Sequence, residues 1–484
     1  MDGLAQQPAA SGRSSLTRRA VLVLVLWLGF WLLGLGLVGA LLAVPVIEFQ
    51  LIGVPNLDGI VCACVALTLA YSLRPRRVRD DAADVVHRPL RRDEAPQLFA
   101  FLERIAVRLG VHAPVEIYLA TAATASISAV RSWTGRVRRL EVRVGLPLFA
   151  WLSERELGAV FVHEFGHFIG GDVALAPWIY RTRTAIGAAV HALDDSFFLL
   201  DRPFRAYGNW FMRLSGAVSR SQEYAADALG ARLFGGAAMG AALEKVDLVG
   251  PGWHAYFHHD LVPALDCGVR VPVFEGFRRF CAASPKRLDV QGAIDKAGDR
   301  AVTPYDTHPS LAERLAALAV ATDVRVPRPA SCVDLLGGEA HIEALWYARI
   351  GAGTWPATNW DDFGDAGMRT RLERRFAATA MAPEHLPLTD LPAIVQSLDE
   401  WWARLRPEGV SFLSQEGRRR YVLGIVHEWV MASLCHAGFA LRVRPGLPPM
   451  FERDGITVES AALMAAACAG ALSAAELARY LRRA

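Results

Sequence analysis

The sequence predicts a mainly α-helical chain with a small β-sheet, set behind an N-terminal helical hairpin that crosses a membrane and followed by a helical C-terminal domain. Three observations predict this. Residues 20–47 contain no charged side chain, which is long enough for a membrane-spanning helix. Apolar residues recur at helical spacing through most of the remainder, and only two short stretches alternate with the period of a strand. Beyond about residue 324 the composition turns rich in Ala, Arg and Leu. The resulting division is a tail at 1–19, the hairpin at 20–75, a central domain at 85–324 and a mainly helical accessory domain at 325–484.

The anchor is read first. At 1.5 Å per residue the run 20–47 reaches about 40 Å, enough to cross a bilayer with tilt. A shorter apolar stretch, 59–73, returns. Arg13, Arg18 and Arg19 precede the first run, and Arg74, Arg76, Arg77 and Arg79 follow the second. The connecting loop carries only Glu48 and Asp58. By the positive-inside rule, both ends and the domain that follows face the cytoplasm. A cleaved signal peptide is the weaker reading, because the apolar core is too long.

Residues 93–109 form an amphipathic helix through Leu98, Phe101, Leu102, Ile105 and Leu109. Residues 115–119 read as a short strand. Residues 140–144 alternate at period two and read as a half-exposed strand, whose free edge could accept an extended peptide.

Ser153 and Glu156 then have capping-box spacing, and Leu157, Val160, Phe161, Phe165 and Phe168 continue at helical period. On this helix lies His163-Glu164-Phe165-Gly166-His167. Residues four apart share a helix face, so both imidazoles can reach one metal ion. Glu164 sits about 100° round the helix, placed to meet a water on that ion. A pair of core histidines is the alternative, but it would not require a glutamate between them on an apolar stretch. Downstream, Glu223 and Asp227 are four apart with Ala225 and Ala226 between them. Glu223 would complete a two-histidine, one-carboxylate zinc site, and Asp227 would accept the outer N–H of a ligating histidine. A solvated acidic face is the bland reading, yet the neighbouring Leu229, Leu233 and Phe234 imply burial, where an unpaired carboxylate is costly.

His163–His167, Gly170-Gly171-Asp172, the segment from Ser219 to Ala231 and the segment from Thr307 to Leu315 together resemble the HtpX-like membrane zinc metallopeptidases, relatives of the CAAX prenyl protease. The blocks occur in family order over roughly residues 90–320. The resemblance implies a zincin-type (gluzincin) metallopeptidase domain, one Zn2+ per chain on His163, His167 and Glu223, His308 near the reaction centre, and Arg314 holding the site together. The sequence departs from the family twice. Residues Thr124 to Ser128 lack the Asn-Ala found on the strand over the cleft. The interval after the histidine helix carries Arg181, Arg183, Asp194, Asp195, Asp201, Arg202 and Arg205, leaving no uncharged run long enough to span a bilayer.

The remaining residues point elsewhere or nowhere. A formal net charge of +3 makes no case for nucleic acid. Seven scattered cysteines show no metal or disulfide pattern, which suits a reducing compartment. His254, His258, His259 and Asp260 form a rim patch or a second metal site. His427-Glu428 starts a second zinc motif, but Met431 stands where its second histidine would be. Trp401-Trp402 reads as packing. The functional expectation is a membrane-anchored zinc metalloendopeptidase, with Glu164 as general base, acting on polypeptides including membrane proteins. The alternatives are a prenyl-protein endoprotease and a non-catalytic scaffold with a structural zinc.

Overall fold

A computed structural model describes residues 10–54, 56–72, 89–132, 134, 136–170, 186, 201–283, 308–319, 331–406 and 414–483. Its contacts divide the chain into two units: Met1–Asp247 with Ile294–Leu335, and Leu248–Ala293 with Leu336–Ala484.

The first unit begins with two apolar helices, α1 (Ala10–Ile52) and α2 (Leu57–Ser72). Within α1, Leu24–Ile52 is the one helix among the described residues that is long and apolar enough to cross a membrane; Leu57–Tyr71 of α2 is shorter. Leu26 and Phe30 of α1 are buried together with Val65 and Leu69 of α2. Leu32, Leu35, Val46 and Ile47 remain exposed. Such a continuous apolar face is unfavourable in water and natural in lipid.

After α3 (Pro96–Arg108) the chain forms a three-stranded sheet: β1 (Val115–Ala120), β2 (Ala125–Arg131) and β3 (Val137–Gly145), in the order β1-β3-β2. β3 is parallel to β1 and antiparallel to β2. The alternating stretch 140–144 is therefore the central strand, with Leu140, Val142 and Val144 buried, and not the free edge. The outer strands are β1 and β2, and the Ala-Ser-Ile-Ser-Ala run of β2 has one β-branched residue, Ile127, among small ones, a weak strand signal.

The helix α5 (Glu154–Gly170) follows the short α4 (Leu146–Trp151). It starts where the sequence places it: Glu156 Oε2 accepts the Ser153 N–H at 2.7 Å, and Ser153 Oγ accepts the Glu156 N–H at 3.4 Å. Leu157, Phe161 and Phe165 are fully buried. Against α5 packs α6 (Asp201–Phe234), which is followed by α7 (Gly236–Tyr256). Small residues let α5 and α6 approach. A methyl group on Gly166 would lie 3.2 Å from the Ala226 Cα, and one on Gly158 would lie 2.4 Å from the Phe234 ring. Ala226 is buried at this contact and Ala225 faces outward, so only one of the two alanines serves the approach. Lys245, in the part of α7 belonging to this unit, donates to both oxygens of Glu156 at 2.8 Å. Both side chains are buried. Breaking such a pair by removing one partner typically costs about 3–5 kcal/mol.

The second unit is built around Trp346, Trp360, Trp429, Tyr256, Phe274 and Phe277, all fully buried. Beside its helices it holds a three-stranded antiparallel sheet, β4 (Ala440–Arg442), β5 (Met450–Arg453) and β6 (Ile456–Glu459), which the helical expectation for this region did not include. Asp454 and Gly455 turn β5 into β6 with φ of 49° and 80°, the conformation an Asp-Gly hairpin turn adopts. Trp401 and Trp402 are buried, as packing residues. The interval carrying Arg181, Arg183, Asp194 and Asp195 lies outside the described residues.

The tight contact at Gly158 has a direct test. Gly158→Val should lower stability by about 1–3 kcal/mol through overpacking against Phe234 and Phe101, read as a lower denaturant midpoint for the detergent-purified chain.

Candidate metal centre

Two helices and one loop bring the candidate residues together. α5 presents His163 and His167 one turn apart, with their Nε2 atoms 3.0 Å from each other. α6 presents Glu223, whose carboxylate oxygens lie 3.6 Å from each of those nitrogens. One ligand atom from each of the three residues lies within 4.8 Å of the others. Two imidazoles and a carboxylate converging on one point is a donor set that suits zinc and leaves room for a further ligand.

The orientation of His163 is fixed from behind. Its Nδ1 lies 2.9 Å from Asp227 Oδ1, so a proton held there leaves the Nε2 lone pair free for a metal ion shared with Glu223. Asp227 is almost completely buried. Arg314 matches it with a two-pronged contact, Nε to Oδ2 at 2.7 Å and an NH2 nitrogen to Oδ1 at 2.6 Å. This fork geometry is the strongest form of arginine–carboxylate pairing. Burial alone would raise the Asp227 carboxyl, but Arg314 and His163 outweigh it and hold it below its ordinary range. Glu223 follows the same pattern: burial opposes ionisation, and the His308 contact, Arg314 and His163 prevail.

Arg314 reaches the site from a short helix, α8 (Leu311–Ala317), whose start is fixed by a full capping box between Ser310 and Glu313. His308 sits just ahead of this cap, with Nδ1 2.9 Å from Glu223 Oε1 and a side chain 71% exposed. It thus combines a contact to the donor cluster with access from solvent. Gly171, Asp172 and Thr307 lie outside the described residues.

Glu164 shares the helix with the two histidines. Burial pushes its carboxyl above the usual range, while His163 and His167 pull it back. A carboxyl so placed exchanges protons closer to neutral pH than an exposed one does.

Other histidines do not join this cluster. His254 and His258 lie against each other with ring centroids 4.3 Å apart and planes inclined at 59°, on an exposed face. Asp260, the carboxylate near them in sequence, is buried and accepts the Gly446 N–H. Among the described residues the three-residue cluster at His163, His167 and Glu223 is the one group able to hold a metal ion. His427 pairs with Ser460 Oγ at 2.9 Å, and burial lowers its pKa, as for a core polar contact.

Comparison with known proteins bears on the same residues. Residues 93–322 match peptidase family M48, a stretch that contains every residue of the cluster. That stretch is similar to a peptidase family M48 domain. It is 28% identical over 175 residues to the Protease HtpX homolog of Aquifex aeolicus (strain VF5), covering 32% of this chain and 57% of that relative. The chain therefore matches little more than half of that relative's length. A solved structure, Ste24p of S. mikatae, shares 16% identity over 60% of this chain and 66% of its own, at a TM-score of 0.26, an overlap too low to inform the fold.

The contact behind His163 leads to an expectation. Asp227→Asn should keep all three donor atoms yet weaken metal affinity by about 10- to 100-fold, measured by competition with a zinc chelator. Unchanged affinity would mean that Asp227 does not orient His163.

Proposed function

We propose that this chain is a membrane-anchored, zinc-dependent endopeptidase of peptidase family M48, with one zinc per chain on His163, His167 and Glu223. The observation that carries the reading is the convergence of these three ligand atoms, from α5 and α6, within 4.8 Å, with Glu164 beside the histidines on α5. Bound there, zinc would supply Lewis acidity and lower the pKa of water toward neutrality.

The chain's own groups would do the rest. Glu164 takes a proton from the attacking water and returns it to the leaving amine. His308, held by Glu223 and open to solvent, donates to the oxyanion of the tetrahedral intermediate. Asp227 and Arg314 keep His163 and Glu223 in place. The free side of β2 holds the substrate backbone in extended form. The anchor is α1 with α2, the catalytic unit faces the cytoplasm, and the substrates are polypeptides, membrane proteins among them, in protein quality control.

Chemistry and topology are tested separately. Glu164→Gln should retain zinc and fold while hydrolysis of a peptide reporter falls about 100- to 10,000-fold. A twofold loss would point to another base, and a wild-type chain that holds zinc but cuts nothing would make the site structural. For topology, Arg13, Arg18 and Arg19 before α1 and Arg74, Arg76 and Arg77 after α2 face only Glu48 and Asp58 between the helices, so a cytoplasm-only reporter fused after Ala484 should be active. Digestion of the catalytic unit by protease added outside sealed cells would reverse that orientation.

A further inference from the structure

The helix that carries Glu223 also carries a face unrelated to the donor cluster. In the first half of α6, Tyr207, Phe211 and Leu214 share one side, and exposed Arg202, Arg205, Asn209 and Arg213 share the other. The apolar side is not spent on the catalytic unit. Phe211 is fully buried in a cluster with Leu26 and Phe30 of α1 and Val65 and Leu69 of α2, with Tyr207 and Leu214 packed against it. The Tyr207 hydroxyl donates to the Leu26 carbonyl. Gly29 makes room for it, since a methyl group there would lie 2.8 Å from the Tyr207 oxygen.

This contact falls at one end of the apolar stretch. Leu24 opens the run Leu24–Ile52, and Arg18 and Arg19 lie just before it. Aromatic rings gather at the same level: Trp27 and Trp31 edge to face at 6.5 Å, Tyr207 and Trp210 edge to face at 6.1 Å. Trp210 is nevertheless 54% exposed. An aromatic girdle beside basic residues is the composition of the boundary between hydrocarbon and headgroups. A helix with Trp and Phe on one face and Arg on the other is suited to lie in that boundary on anionic lipid.

We infer that the first half of α6 lies in the headgroup layer of the bilayer beside α1, with Trp210 in contact with phospholipid, and that this sets the reach of the metal centre. The inference rests on the membrane-anchored endopeptidase reading. From Tyr207 to Glu223 the helix rises about 24 Å at 1.5 Å per residue. That length is an upper bound on the height of Glu223 above the boundary, whatever the tilt of α6. An extended peptide covers it in about seven residues. The substrates it selects are segments that leave the same membrane and are long enough to reach this height, in preference to free peptides, because tethering raises their effective concentration.

Two measurements on the full chain decide this, both in vesicles of phosphatidylethanolamine and phosphatidylglycerol. In the first, a photoreactive benzophenone amino acid replaces Trp210 or, for reference, Leu35, which is exposed within the apolar stretch. Lipid capture at both positions is expected. Capture at Leu35 alone overturns the inference and leaves the anchor standing; capture at neither overturns both. In the second, one reporter sequence is joined to a single apolar span through spacers of about 2 to 20 residues. Cleavage should begin at or below about seven residues and decline at the longest spacers. Equal rates at every spacer, or for the same reporter free in solution, overturn the reach. A reporter cut in no form overturns the endopeptidase reading and the reach with it, while lipid capture, which needs no hydrolysis, still judges the contact of α6 with the bilayer.

Discussion

The candidate centre depends on how closely α5 and α6 approach. Its donors come from two helices, and side chains as short as histidine and glutamate meet only if the backbones nearly touch. Gly166, between the two histidines, lies against Ala226, between Glu223 and Asp227. The second variable position of the histidine motif is therefore constrained in this chain by the partner helix. A larger residue there would separate Glu223 from both imidazoles without altering any candidate ligand. The same approach buries three carboxylates, those of Glu156, Glu223 and Asp227. An uncompensated buried carboxylate costs several kcal/mol, and whole domains are stable by only about 5–15 kcal/mol. Each of the three is matched: Glu156 by Lys245, Asp227 by Arg314 and His163, Glu223 by His308 and Arg314.

How much of this was legible follows from the range of each interaction. α5 was legible because its signals are local: the Ser153–Glu156 box, the apolar period and two histidines one turn apart. Glu223 and Asp227 were legible as a pair, since they share a helix face. The fork between Arg314 and Asp227 spans 87 residues, and no spacing in the chain announces it; only resemblance placed Arg314 at the site. Lys245 carried a faint signal as a lysine in an Ala- and Leu-rich helix, but its partner lies 89 residues away. In the sheet, alternation at 140–144 correctly marked a strand with one buried face, yet alternation does not say which neighbours flank a strand. The outer positions fell to β1 and β2, and the small residues of β2 give little strand signal. In the second unit the Asp454-Gly455 pair is a local hairpin signal, but the strands it joins are only four residues each, too short for alternation to mark them.

α6 joins two constraints that are usually separate. Its later turns answer to the donor cluster, through Glu223, Ala226 and Asp227. Its earlier turns answer to the apolar helices, through Tyr207, Phe211 and Leu214. Described as one uninterrupted helix, Asp201–Phe234, it ties the orientation of the centre to that of α1. A flexible linker would have let the catalytic unit sample many heights above a bilayer. A continuous helix fixed at both ends does not.

That coupling bears on selectivity. Pairing along the edge of β2 would hold a substrate by its main chain, and main-chain hydrogen bonds discriminate poorly between sequences. Ser126 and Ser128 offer small hydroxyls on that strand, in place of the larger side chains that could line selective pockets. A hydrolase with weak sequence preference needs another means of sparing the proteins around it. Placement supplies one, because a centre held close to a membrane meets some polypeptides at high local concentration and others rarely. On the proposed reading the β2 edge and the anchored helix would make complementary contributions: β2 would support broad recognition, and α6 would restrict what comes within range to be recognised.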